Sequence, residues 1–163
     1  MQAQPFQSSH SGVHQNPDFS RQVLIEIATD RVAVAVFGEQ PPSDEEWSEY
    51  IATLEGLGSG GHRTLVLSVG GGPTALQREQ LSALMDGQDD VKVAVLTNSV
   101  FARGIVTALR WFRREANAAF EPGKIDAALD YLELDQRERD RVHLVANDLI
   151  SRLGLEKVFP LAA

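Results

Sequence analysis

The segment best suited to chemistry is Gly70-Gly71-Gly72-Pro73-Thr74, three glycines set between an apolar run and a helical pattern. Backbone N–H groups free of side chains can point at an anion beside the positive end of a helix, which would make such a loop a phosphate cradle. It has no Gly-Lys-Ser/Thr ending and no second glycine at dinucleotide spacing. The expected reading is a tight strand-to-helix turn with positive φ values, closed by Thr74 and Gln77 as reciprocal caps. A protein-contact loop through Gly71 and Gly72 and an anion site are the alternatives.

Materials for acid–base or nucleophilic catalysis are sparse. The histidines are His10 and His14 near the start, His62 opening a strand and His143 flanking the apolar side of a helix. There is no His-Glu-x-x-His pair and no Gly-x-Ser-x-Gly elbow. Zero cysteines remove disulfides, thiolate metal sites and a cysteine nucleophile together, and are compatible with a cytoplasmic location. Carboxylates such as Asp30 and Glu39 show no convergent pattern. The expectation is a protein that is not an enzyme and uses no cofactor or metal.

Val100 to about Arg114 carries a stronger signal. At about 100° per residue, Phe101, Ile105, Ala108, Leu109 and Phe112 gather on one side of a helix, while Arg103, Arg110 and Arg114 fall within about 40° of one another opposite. Trp111 lies beside this basic stripe. Arg and Trp are frequent energetic anchors of protein interfaces. In a chain of net charge −8 the stripe would select an acidic partner surface. A solvated helix face is the alternative. The first helix bears Asp44, Glu45, Glu46, Glu49 and Glu55, so a second copy of the chain is another partner the stripe could take.

These residues must be placed by a fold, and 163 residues suffice for one domain. Hydrophobic residues make up 43% and charged residues 23%, enough apolar material for a core. The net charge, with a pI near 4.9, argues against nucleic acid as a partner. No apolar run reaches the roughly 18 residues of a membrane span.

Residues 1–20, rich in Gln, Ser, His and Pro, are expected to form a disordered tail. The β-branched runs Val23–Ile27 and Arg31–Phe37 predict a hairpin whose second strand, apolar throughout, lies inside a sheet. Ser43 and Glu46 form a capping box for a helix carrying Trp47, Tyr50, Ile51, Leu54 and Leu57. Three rounds of strand and helix follow, with strands at Arg63–Val69, Val91–Leu96 and Ala118–Phe120. Asp135 with Glu138 caps a last helix that presents Val142, Val145, Leu149, Ile150 and Leu153 on one face, and Val158 to Leu161 is expected to strap onto the domain. The fold class is α/β: an open, mostly parallel sheet of about five strands with an antiparallel N-terminal hairpin, helices on the sheet and an extra C-terminal helix. The organisation is a tail (1–20), a domain (21–134) and an appended helix and tail packed on it (135–163).

The element order and the run from Leu96 to Phe112, with its Arg103-Gly104 and Thr107-Ala108-Leu109-Arg110-Trp111-Phe112, resemble the SpoIIAA-like branch of the STAS domains, named for sulfate transporters and anti-sigma factor antagonists. The resemblance spans roughly two thirds of the chain and rests on no catalytic signature. It implies a non-enzymatic regulatory module that docks a kinase, a sigma-factor regulator or another signalling protein, sometimes under phosphorylation control. In such antagonists the phosphorylated hydroxyl lies in an Asp-Ser-Ser-Gly type of turn at the start of the helix after the third strand. Here that turn is Gly70-Gly71-Gly72-Pro73-Thr74, without the acidic residue or the serine pair, and Thr74 is the nearest hydroxyl. Lipid or anion carriage and an enzyme of unknown reaction are the alternative functions.

Overall fold

Val23–Thr29 (β1) and Val32–Phe37 (β2) pair antiparallel across Asp30-Arg31, with a register irregularity between Ile27 and Thr29 that lets the first strand run further than its apolar pattern suggests. The computed structural model describes residues 20–58, 60–110 and 116–161, the side chains of 108–110 excepted, so the expected N-terminal tail lies outside the described residues. Every residue of β2 is buried, as its unbroken apolar run requires of a strand covered on both faces.

The chain continues as Asp44–Glu55 (α1), Arg63–Ser68 (β3), Ala75–Met85 (α2), Lys92–Leu96 (β4), Val100–Arg110 (α3), Asn117–Phe120 (β5), Ile125–Tyr131 (α4) and Gln136–Arg152 (α5). The sheet order is β1-β2-β3-β4-β5, and β2 to β5 are parallel. Each crossover steps one strand in the same direction, and the right-handed rule then puts α1, α2 and α3 on one face. Trp47, Tyr50 and Leu54 of α1, Leu81 and Met85 of α2 and Val106 of α3 accordingly gather with Ala33, Ala35, Val66 and Val95 of the strands. The opposite residues of the same strands, among them Val34, Leu65, Leu67 and Leu96, meet Leu129 of α4, Leu132 at its C-cap, and Leu149 and Ile150 of α5.

Local signals set the helix ends. Ser43/Glu46, Thr74/Gln77 and Asp135/Glu138 all form reciprocal capping boxes. Gly154 has φ of +68° and closes α5 in a left-handed turn. That turn sends the tail back over the sheet, where Phe159 is 1% exposed within the α4/α5 core.

The phase of α3 corrects the sequence expectation. Ala102 and Val106 face the sheet, whereas Phe101, assigned above to the apolar face, is 67% exposed. Ser99 fixes this phase: its hydroxyl accepts from the Ala102 N–H at 3.2 Å and its carbonyl from the Arg103 N–H at 3.0 Å. The small Ala102 then allows the close approach to the strands that Phe101 would block.

Candidate functional site

The loops 38–43, 70–74 and 97–99 collect at the carboxyl ends of the parallel strands, the rim where open α/β sheets usually meet ligands. The glycine loop is sewn into this rim. The Ser68 hydroxyl donates to the Gly71 carbonyl at 2.6 Å and accepts from the Gly70 N–H at 3.1 Å. The Gly71 N–H donates to the Gly38 carbonyl at 2.9 Å. Two of the three glycine N–H groups are thus consumed internally, which weakens the loop as an anion cradle. A Cβ at Gly71 would lie 2.5 Å from the Gly38 oxygen and 2.6 Å from the Gln40 oxygen, so glycine is needed there for close backbone approach. Gly70 alone of the three has positive φ, at +141°. Gly71 and Gly72 are buried, and Thr74 is exposed with its hydroxyl accepting from the Gln77 N–H at 3.3 Å.

Of the arginine stripe, Arg103 is half-buried and its guanidinium donates to the Thr97 carbonyl at 3.4 Å, folded back on the end of β4. The Arg110 side chain, Trp111 and Arg114 lie outside the described residues. What the rim does present is apolar: Leu76 on the first turn of α2 is 65% exposed, and Val100 and Phe101 on the first turn of α3 are 84% and 67% exposed. The loop that leads into α2 meets the start of α3, since a Cβ at Gly70 would lie 3.6 Å from the Ser99 hydroxyl. Sequence reasoning missed this patch because it assigned Phe101 to the core. The available signal was Ser99 as the N-cap, which sets which residues of the first turn face out.

Beneath the rim, between the sheet and α1, α2 and α3, lies a cavity of about 100 Å³. Phe37, Trp47 and Tyr50 form an aromatic wall, with the Trp47 and Tyr50 rings stacked at 4.7 Å and 9°. Burial pushes the Tyr50 hydroxyl well above its ordinary range, so it stays neutral. No charged side chain lines the cavity among the described residues.

The other end of the sheet holds a residue the sequence did not flag. Arg63 opens β3 with a side chain only 3% exposed, its Nε donating to the Leu132 carbonyl at 3.0 Å and its Nη2 reaching Asp90 Oδ1 at 3.0 Å. Nη1 donates to the carbonyls of Gly61, His62 and Asp90. Asp90 and Glu133, both ion-pair partners of Arg63, are the two non-glycine residues with positive φ among those described. The arrangement satisfies a buried charge and is structural. His62, 1% exposed, shares a 2.8 Å hydrogen bond between Nε2 and Gln88 Oε1; burial depresses its pKa, the Gln88 bond opposes this and Arg63 adds to it.

Among the described residues no cluster of His, Asp or Glu could hold a metal ion, and no helix is long and apolar enough to cross a membrane. Comparison with protein-family models, curated proteins and solved structures finds no match.

Proposed function

We propose that this chain is a non-enzymatic, cytoplasmic regulatory module that docks a signalling protein through the rim at the starts of α2 and α3. The observation that carries this reading is the exposure of Leu76, Val100 and Phe101 on the first turns of the two helices that start from this rim. Large apolar side chains grouped on a surface are the usual mark of an interaction site. Arg103 at the patch edge, with Arg110 and Arg114 further along the same chain segment, favours a partner that rims its apolar contact with acidic residues. The resemblance of the segment 96–112 to SpoIIAA-like STAS domains supports the same class of function, with Thr74 as the exposed hydroxyl open to phosphorylation.

Photocrosslinking from p-benzoylphenylalanine at position 101, in the native host, tests the reading. One dominant protein adduct is expected, and Val100→Ser/Leu76→Ser should weaken its capture at least tenfold, as loss of interface anchors does. An adduct to a second copy of the chain would make the partner itself. Crosslinks scattered over many proteins, or capture indifferent to the serine substitutions, would remove the rim as a docking site.

A further inference from the structure

The face of the sheet under α1, α2 and α3 has unmet hydrogen-bonding capacity in an apolar setting. Trp47 is 2% exposed and Thr64 1% exposed, and both line the cavity. Trp47 Nε1 and Thr64 Oγ1 are shielded from solvent and have no hydrogen-bond partner among the described residues. Buried donors and hydroxyls are nearly always paired, and an unpaired one is costly, so two bordering the same space need an explanation.

The walls add a second observation. Helix α2 buries only Gln77, while Leu81, Leu84 and Met85, its apolar side, remain half-buried. Helix α3 reaches the sheet through the small Ala102 and Val106. Among the described residues, neither helix fills the space over Val66 and Val95. The cavity shares Leu81, Met85, Val93, Ile105 and Asn117 with an outer cleft of about 760 Å³ beside α2, so the inner space continues outward instead of being sealed.

We propose that this cavity binds a small uncharged amphiphile: one aromatic ring or short acyl body, carrying an oxygen that accepts from the Trp47 indole N–H and meets the Thr64 hydroxyl. An apolar cavity of roughly 150 Å³ suffices for benzene, and 100 Å³ opening into a larger cleft takes a body of that order with a substituent trailing outward. The stacked Trp47 and Tyr50 offer a ring face to the ligand. A charged ligand is disfavoured, because no cation among the described residues lines the cavity to offset the loss of water. Both polar atoms are covered when the site is empty, so binding requires side chains of the cavity wall to move aside and uncover them.

Acetophenone, a ring with one carbonyl oxygen, is the probe, and ethylbenzene is its oxygen-free counterpart. Titration is followed by the indole N–H signal of Trp47 in a ¹H–¹⁵N spectrum, with the second tryptophan removed as Trp111→Phe. A saturable shift of that signal and a rise in Tm with ligand concentration are expected. Ethylbenzene should bind roughly three- to tenfold more weakly, the usual worth of one hydrogen bond. Thr64→Val should raise the Tm of the free protein, by removing an unpaired hydroxyl from a strand, and yet weaken acetophenone by a similar factor. Val106→Phe, which fills the space, should abolish the shift; if it does not fold, the Thr64→Val comparison decides alone. A Trp47 signal unmoved up to the solubility limit, equal binding of the two probes, or unchanged affinity in Thr64→Val would each overturn the assignment.

Discussion

On the sheet face covered by α4 and α5, Leu129, Leu132, Leu149 and Phe159 are each 1% exposed or less, whereas on the other face α2 buries one side chain, the polar Gln77. Both faces belong to the same five strands, and alternate residues of one strand serve each. The difference lies in the covering helices. Side chains at close-packed density carry most of the burial energy of a domain, and a face that leaves polar atoms unpaired and apolar ones half-covered forgoes part of it. The looser packing is local to α2, since Trp47, Tyr50 and Leu54 of α1 on the same face are buried.

The comparison can be broken by substitution. Phe159→Ala should cost about 3–5 kcal/mol, the range for a fully buried aromatic, read as a fall in the urea midpoint at unchanged slope. A loss below about 1 kcal/mol would mean that the C-terminal strap is dispensable. Gly71→Ala should cost about 1–3 kcal/mol through overpacking against the carbonyls of Gly38 and Gln40. It should also disturb loops 38–43 and 70–74 together, visible as paired amide shifts. Leu81→Ala, on the half-buried side of α2, should cost no more than about 1 kcal/mol, since little apolar area is withdrawn from water there. A loss near that of Phe159→Ala would erase the contrast between the faces.

The smallest effect is one of pH. Burial holds His62 below its ordinary value of 6.5, so the folded chain takes up a proton less readily than the unfolded one. Stability is therefore full above pH 6.5 and declines as pH falls from there towards the folded-state pKa. Urea midpoints at pH 7.5, 6.5 and 5.5 should show that decline, and His62→Gln should flatten it.

Much of the fold was legible because it is written locally. Ser43/Glu46, Thr74/Gln77 and Asp135/Glu138 announce helix starts by residues three apart, and the unbroken apolar run of β2 announces a strand buried on both sides. What was not legible depends on partners distant in sequence. A helical wheel groups Phe101 with Ile105, but the buried residues are Ala102 and Val106, a rotation of about one residue: Ser99 marks locally where the helix starts, while the strands it lands on show which side is covered. Gly71 reads as turn flexibility and is in fact required by a carbonyl 33 positions earlier, that of Gly38. Arg63 reads as a charged strand start, although four acceptors from Gly61, His62, Leu132 and Glu133 surround it as well as two from Asp90. The cavity has no signature at all, since it is a volume that side chains fail to occupy.

The clasp around Arg63 anchors the amino ends of β3 and β4. Threading a guanidinium through the carbonyls of Gly61, His62, Asp90 and Leu132 fastens the loops before β3 and β4 to the end of α4. One side chain thereby acts as a keystone for three chain segments that lie far apart in sequence, and removing its charge would release all three together.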